Sequence, residues 1–265
     1  MTVIGSIVKT QDFEWNAMVM GSTISNKVTK LTDDGQDIIT GFRIIREGEP
    51  YNSYYVIRSA GVDPLTGRQL YWANKDIDDN GDEIDVDPYI TNSTALGSLS
   101  RYVAGSRFPA LFGSLSTQAR YKAFDLSIAA NYSIGGKMID GIYQAMMSFY
   151  YPSNAKHRDL LKAWRQPGDV TSIPRYEIGA TTTYNDDMLI NASYFAIKNI
   201  SLGYTLPSRI TNSIGIYSLR IYCAADNLFM FNYLKGMDPQ YNISGGTDYV
   251  YAPTRLLSLG IDLKF

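Results

Sequence analysis

Apolar and polar side chains alternate one for one at the end of this chain. Leu257, Leu259, Ile261, Leu263 and Phe265 take every second position, with Ser258, Gly260, Asp262 and Lys264 between them. Successive side chains of a strand point to opposite faces. The segment Leu256–Phe265 therefore predicts a strand with one apolar and one polar face, closed by an aromatic terminus. The same period predicts three hairpins. The first pairs Thr2–Lys9 with Phe13–Ser25 across residues 10–12, with Phe13, Trp15, Ala17 and Val19 on one face and Glu14 and Asn16 on the other. The second pairs Pro109–Arg120 with Ala123–Gly135, where Phe124, Leu126, Ile128, Ala130, Tyr132 and Ile134 alternate with Asp125, Ser127, Ala129, Asn131 and Ser133. The third pairs Tyr194–Leu206 with Tyr217–Phe229; Leu219, Ile221, Cys223 and Ala225 alternate there with Arg220, Tyr222, Ala224 and Asp226.

These strands run to about 10–14 residues, the length of a tilted bilayer crossing and about twice that of a common globular strand. Their connections alternate in length. Residues 10–12 and 121–122 are short turns and 207–216 a modest one, whereas about 26–107, 136–192 and 230–249 are long loops. Short turns at one end and long loops at the other are the habit of transmembrane β-barrels, whose strands present apolar side chains to lipid and polar ones to a wet lumen. Parity holds for seven strands. It also holds for nine if Arg43–Arg58 and Gln69–Trp72 cross as well. Seven to nine strands do not close into the usual even-numbered barrel, and an open sheet in lipid leaves unpaired backbone groups at its edges. The fold expected is therefore all-β: an antiparallel transmembrane section of a larger barrel, not stable in water by itself. Two rivals remain. A soluble carbohydrate-binding β-sandwich requires Leu257, Leu259 and Leu263 to be buried between sheets. A small self-contained barrel or adhesin requires the first and last strands to pair.

Composition narrows the chemistry. Hydrophobic residues make up 45% and charged residues 19% of the 265, so the chain is not disordered. The 21 tyrosines suit a membrane–water interface, sugar stacking or a plain β-core. A net charge of −2 offers no basic footprint for nucleic acid. One cysteine, Cys223, excludes an internal disulfide, and one histidine, His157, leaves little material for a catalytic triad or a zinc site. Cys223 is expected to face lipid or core as a small hydrophobe, and His157 to sit solvated in a loop. No catalytic set emerges, so an enzyme is not expected. The first residues enter strand-like sequence directly, without the regions of a secretory signal, so the chain reads as the C-terminal part of something longer or as a processed product.

Several segments together resemble the late-barrel region of SusC/RagA-type TonB-linked outer-membrane transporters of Bacteroidetes. They are Ile7–Leu31, Arg46–Pro50 followed by Tyr54-Tyr55, Ala60–Gly67, Ala192–Pro207, Ser218–Phe231, Gly236–Pro239 and Pro253–Phe265, in the family's order. The resemblance implies a barrel of roughly 22 strands with an N-terminal plug, a TonB box that engages TonB, and a SusD-like surface lipoprotein as lid. It implies energy-coupled import of glycans or peptides across the outer membrane of a Gram-negative bacterium. Signal peptide, TonB box, plug and early strands are not in this sequence, so contact with TonB would run through a missing N-terminal part. The chain itself would supply wall and extracellular loops. Leu259, Ile261, Leu263 and Phe265 are read as the C-terminal signal for the barrel assembly machinery.

Three groups of residues are candidates for binding. The run Lys75–Pro88 places Asp76, Asp78, Asn80, Gly81 and Asp87 at positions 1, 3, 5, 6 and 12 of a calcium-type loop. Position 12 is Asp rather than Glu and no flanking helices are evident, so an Asn-Gly turn carrying solvated acids is the plainer reading. The loop 136–192 carries Tyr143, Tyr150, Tyr151, Trp164 and Arg165, which suit stacking on a substrate or contact with a lid protein, and equally packing of the loop on itself. Its segment His157–Trp164 predicts a short helix with Leu160, Leu161 and Trp164 on one side. Arg220, Asp226, Asp262 and Lys264 share the polar face and are expected to form ion pairs across the wall.

Overall fold

The computed structural model describes residues 1–32, 35–148, 153–177, 183–213, 215–233, 238–240 and 253–265. Its dominant feature is one seven-stranded antiparallel sheet. The strands are β1 (Thr2–Lys9), β2 (Phe13–Ser22), β3 (Leu111–Tyr121), β4 (Phe124–Ile134), β5 (Tyr194–Thr205), β6 (Ser218–Asn232) and β7 (Leu256–Lys264). Each pairs with the next in chain order. The short connections β1–β2, β3–β4 and β5–β6 therefore lie at one end of the sheet, and every long connection at the other. Strands β1 and β7 are the two outer edges and do not pair among the described residues, which removes the self-contained barrel.

Register carries the alternation across the whole sheet. Leu259 opposes Cys223, Cys223 opposes Leu202, Leu202 opposes Leu126, Leu126 opposes Ala119 and Ala119 opposes Trp15. Directly opposed residues share a face, so one side of the sheet is a largely apolar surface, with the Thr117 hydroxyl on it accepting from Trp15 Nε1 at 2.7 Å. Among the described residues it has no partner sheet: Leu257 is 76% and Leu259 87% exposed, the opposite of what a sandwich core requires. Aromatic residues edge this surface near the short turns. Phe13 meets Tyr121 with ring centroids 6.4 Å apart, and Phe124 meets Tyr204 at 4.7 Å. A second row, with Tyr132, Phe195 and Phe231, lies toward the long connections. From Phe124 to Tyr132 the strand rises about 27 Å, which a barrel tilt reduces to about the height of an outer-membrane apolar band. Among the described residues no helix is long and apolar enough to cross a membrane.

Besides a register shift at Ile7 of β1, two adjacent bulges bend the wall. Opposite Ala129 and Ala130 of β4, strand β5 inserts Lys198, and β6 answers with a bulge at Asn227, whose φ is +50°. The bulge keeps β6 in register with β5 as far as Asn232, so β6 runs past the expected end at Phe229. Strand β2 stops at Ser22, short of Ser25, where β3 ceases to pair with it.

Arg220 of β6 organises the polar face. It donates two hydrogen bonds to Asp125 of β4, Nε to Oδ1 at 2.9 Å and Nη2 to Oδ2 at 2.6 Å, and one from Nη1 to Asp262 of β7 at 3.0 Å. Strand β5 lies between Arg220 and Asp125, and at the crossing it carries Gly203. A Cβ there would sit 2.5 Å from Arg220 Nε and 2.6 Å from Asp125 Oδ1. The glycine is thus the opening through which one arginine of β6 reaches across β5 to tie β4, while also holding β7. Asp226 takes a different partner, the Asn199 side-chain amide at 2.7 Å, and Lys264 joins no ion pair among the described residues. Gly203→Val is expected to push the guanidinium off Asp125 and to lower unfolding free energy by about 1–3 kcal/mol; the pair is partly open to water, which keeps the loss below that of a sealed one. Urea titration of the complete protein in lipid vesicles checks this, with Ser201→Val on the same face as the control.

The long connections fold as well. Residues 23–110 contain a four-stranded sheet, Ile38–Thr40, Arg43–Ile45, Ser53–Val56 and Tyr102–Gly105, and a three-stranded one, Ser59–Val62, Gln69–Ile77 and Glu83–Thr91. This corrects the alternative of nine crossings. Arg43–Ile45 and Ser53–Val56 are too short to span lipid. Their apolar side chains turn inward instead: Ile44 and Val56 are 0% exposed and Tyr54 is 1% exposed. The only extensive dry core among the described residues therefore lies in the loop layer, not in the wall.

Candidate functional site

The two first long connections build one layer around Tyr54. Its ring packs with Val56, Ala104, Ile139 and Met188, with Phe42, Tyr143, Tyr184 and Leu189 around them. Its hydroxyl donates to the Lys137 carbonyl at 2.9 Å, and burial pushes the phenol well above its ordinary pKa. Backbone bonds stitch the connections together, Ile57 N–H to the Tyr184 carbonyl and Asp186 N–H to the Ile57 carbonyl. Asp186 then accepts from Ser59 N–H at 2.8 Å and from the Tyr102 hydroxyl at 2.9 Å. Burial first, and the Asp186 carboxylate second, raise Tyr102 to about 12.

A second tie is a clamp on the turn Asp63–Arg68. Gly67 has φ +70°, and the Trp164 indole lies where its Cβ would be. Trp164 Nε1 donates to the Pro64 carbonyl at 2.9 Å, Gly168 N–H to the same oxygen at 2.8 Å, and Arg175 N–H to the Gly67 carbonyl at 2.8 Å. Trp164→Ala is expected to loosen this clamp by about 1–3 kcal/mol. Hydrogen exchange at residues 63–68 and 164–175 should accelerate, while exchange in β3–β6 stays unchanged.

Between the clamp and the Tyr54 core lies a cavity of about 500 Å³. Tyr71, Tyr143, Leu160 and Ile173 give it apolar walls, and Arg68, Asn185 and Asp187 give it polar ones. Asp187 accepts from Asn185 Nδ2 at 3.2 Å and from the Ser59 hydroxyl. Its side chain is exposed and lines the cavity. Partial desolvation there, reinforced by neighbouring Asp186, raises its pKa.

The candidate residues of the loop 136–192 take several places. Tyr143 lies in the helix Gly141–Met147, capped by Asp140, and lines the cavity. Its hydroxyl donates to Asp159 at 3.4 Å. Trp164 forms the clamp, and Arg165 tightens its own loop, donating from Nη2 to the Leu161 carbonyl and from N–H to Asp169. Tyr150 and Tyr151 lie outside the described residues. The segment after His157 is a 3-10 helix, Arg158–Lys162. Its three-residue period separates Leu160, at the cavity, from Leu161, which is 73% exposed. This departs from the single apolar side expected. His157 is not freely solvated either: its ring meets Tyr143 edge-on at 4.9 Å and Nδ1 accepts from Asp159 N–H.

The acidic run forms a hairpin. Asp76 lies in the strand Gln69–Ile77 and Asp87 in Glu83–Thr91, with Asp78 and Asn80 at the turn. Asp78 Oδ1 accepts from the N–H groups of Asn80 and Asp82, and those bonds, led by Asp82, hold its carboxyl below the usual range. Asp76 accepts from Ile77 N–H and from Tyr89. Among the described residues no group of three or more His, Cys, Asp or Glu side chains is gathered as a metal site. Leu259, Ile261, Leu263 and Phe265 stand exposed along the β7 edge. Asp125, Gly203, Asn185 and Asp187 were not singled out in the sequence. A glycine at 203 within an alternating run is the one sequence feature that bears on the Arg220–Asp125 tie.

No protein-family model matches the chain. It is 26% identical to TonB-dependent receptor P3 of Formosa agariphila over 97% of its own length and 27% of that protein's. It is 23% identical to the TonB-dependent receptor SusC of Bacteroides thetaiotaomicron, covering 97% of this chain and 25% of SusC. The fold superposes on the RagAB peptide importer in its closed-closed state with a TM-score of 0.83 and 25% identity, over 100% of this chain and 29% of that one. The chain thus spans between a quarter and a third of the length of the relatives it matches.

Proposed function

From the premise that this chain is a β-barrel portion of a SusC/RagA-type TonB-dependent receptor, we propose that it forms wall and outer loops of an energy-coupled importer. The importer sits in the outer membrane of a Gram-negative bacterium and takes up glycans or peptides. A SusD-like lipoprotein closes it from outside, and TonB drives it through the rest of the protein. One observation carries this reading: the full length of the chain superposes on the RagAB peptide importer, with its apolar face outward and its folded loop layer at one end. An apolar belt needs lipid, and a packed layer above one mouth offers a surface for a lid. The relatives are receptors and importers, which supports a role in transport.

The test is uptake in the native host. Deleting the gene should abolish entry of a labelled oligosaccharide or peptide pool, and depleting TonB should do the same. The tagged protein, extracted in mild detergent, should bring a surface lipoprotein with it. Uptake that continues unchanged in both strains would sink the proposal.

A further inference from the structure

Two tyrosines of the wall lie across a neighbouring strand at a glycine. Tyr132 of β4 opposes Gly113 of β3, where a Cβ would sit 2.8 Å from the tyrosine hydroxyl oxygen. That hydroxyl passes over β3 and donates to the Met20 carbonyl of β2 at 3.0 Å. Tyr222 of β6 repeats the arrangement on the polar face. It opposes Gly260 of β7, and its phenol lies where the Cβ of that residue would be. The ring cannot turn to the other side. Gly203, its opposite on β5, is already covered by the Arg220 guanidinium, which also stands 4.8 Å from the centre of the Tyr222 ring. The phenol is thus held over β7, the outermost strand. Strands lie about 4.8 Å apart, so a tyrosine that crosses one strand meets the main chain of the next, as Tyr132 does. For Tyr222 there is no next strand among the described residues: β7 pairs with β6 alone, and the Tyr222 hydroxyl makes no hydrogen bond there.

We propose that Tyr222 is a clasp for the barrel seam: a strand from outside residues 1–265 of the same polypeptide pairs with the free edge of β7, and one of its main-chain carbonyls accepts from the Tyr222 hydroxyl across Gly260. The existence of that strand rests on the importer reading; the clasp is additional to it. This chain covers between a quarter and a third of its relatives' length, which leaves sequence for further strands. The edge of β7 runs beside the apolar belt, where unpaired N–H and C=O groups are costly. The other edge strand, β1, lies at the far side of the sheet and does not meet β7 among the described residues.

The test uses the complete receptor in lipid vesicles. p-Azidophenylalanine in place of Tyr222 carries its photoreactive group where the hydroxyl sits. Irradiation should join position 222 to a peptide of the same polypeptide from outside residues 1–265, in a product of monomer mass. Linkage to a second copy, or only to peptides within residues 1–265, would overturn the proposal. Tyr222→Phe keeps the ring and removes the donor. It should speed amide exchange in β7 about fivefold, the worth of one hydrogen bond, and leave β3 and β4 unchanged. Tyr132→Phe should instead speed exchange in β2 and β3. Unchanged exchange in β7 of a folded Tyr222→Phe receptor would also overturn the clasp. Neither readout involves cargo. Cross-links confined to residues 1–265 in a receptor with normal uptake sink the clasp alone, whereas the expected cross-link without uptake sinks the importer reading alone.

Discussion

Ile128→Arg is expected to cost the folded barrel about 2–4 kcal/mol, whereas Ser127→Arg, one position earlier, should stay within about 1 kcal/mol. Ile128 lies on the apolar face midway between Phe124 and Tyr132, flanked by Thr117 on β3 and Ile200 on β5. Arginine there would place its charge in hydrocarbon at the depth where the penalty peaks. Ser127 opposes Gln118 and Ser201 on the polar face, where a guanidinium reaches water. The measurement is urea unfolding of the complete protein in lipid vesicles, alongside heat-modifiable gel mobility as a check of assembly. Equal penalties at the two positions would mean that both faces meet the same solvent, and the lipid-facing assignment would fall.

Tyr54→Ala should have the largest effect on the loop layer, about 3–5 kcal/mol. The side chain is 1% exposed and fills the space among Val56, Ala104, Ile139 and Met188. Its removal opens a void and strips the Lys137 carbonyl of its 2.9 Å donor. Tyr54→Phe keeps the volume and removes the hydroxyl, so it should cost about 1 kcal/mol. Limited proteolysis should cut residues 38–105 and 137–191 faster in Tyr54→Ala, with β3–β6 still protected. Simultaneous loss of protection in the wall would show that layer and wall unfold as one unit.

Much of the wall was legible in the sequence because its signal is local. A strand between lipid and water needs an apolar side chain at every second position, and that demand is written into Phe124–Ile134 and Leu256–Phe265 residue by residue. The loop layer has no such constraint. Arg43–Ile45 and Ser53–Val56 carry the same β-forming residues as a wall strand, so they read as candidate crossings. Their shortness and their common burial decide otherwise, and burial is a property of neighbours distant in the chain. The candidate residues divide the same way. Trp164 and Tyr143 stand out by residue type, but their work depends on Gly67 and Asp159, which pattern reading does not place beside them.

The sequence by itself determined the two faces of the wall, the antiparallel order of its strands and the gathering of the long connections at one end. Those follow from the two-residue period of a strand and the parity of antiparallel pairing. Only the tertiary structure decided that Arg220 reaches Asp125 across Gly203, that Trp164 clamps the turn Asp63–Arg68, and that Asp187 lines a cavity with Tyr143 and Ile173. Each of these joins residues far apart in the chain through side-chain reach and the volume that packing leaves open, neither of which a linear period encodes.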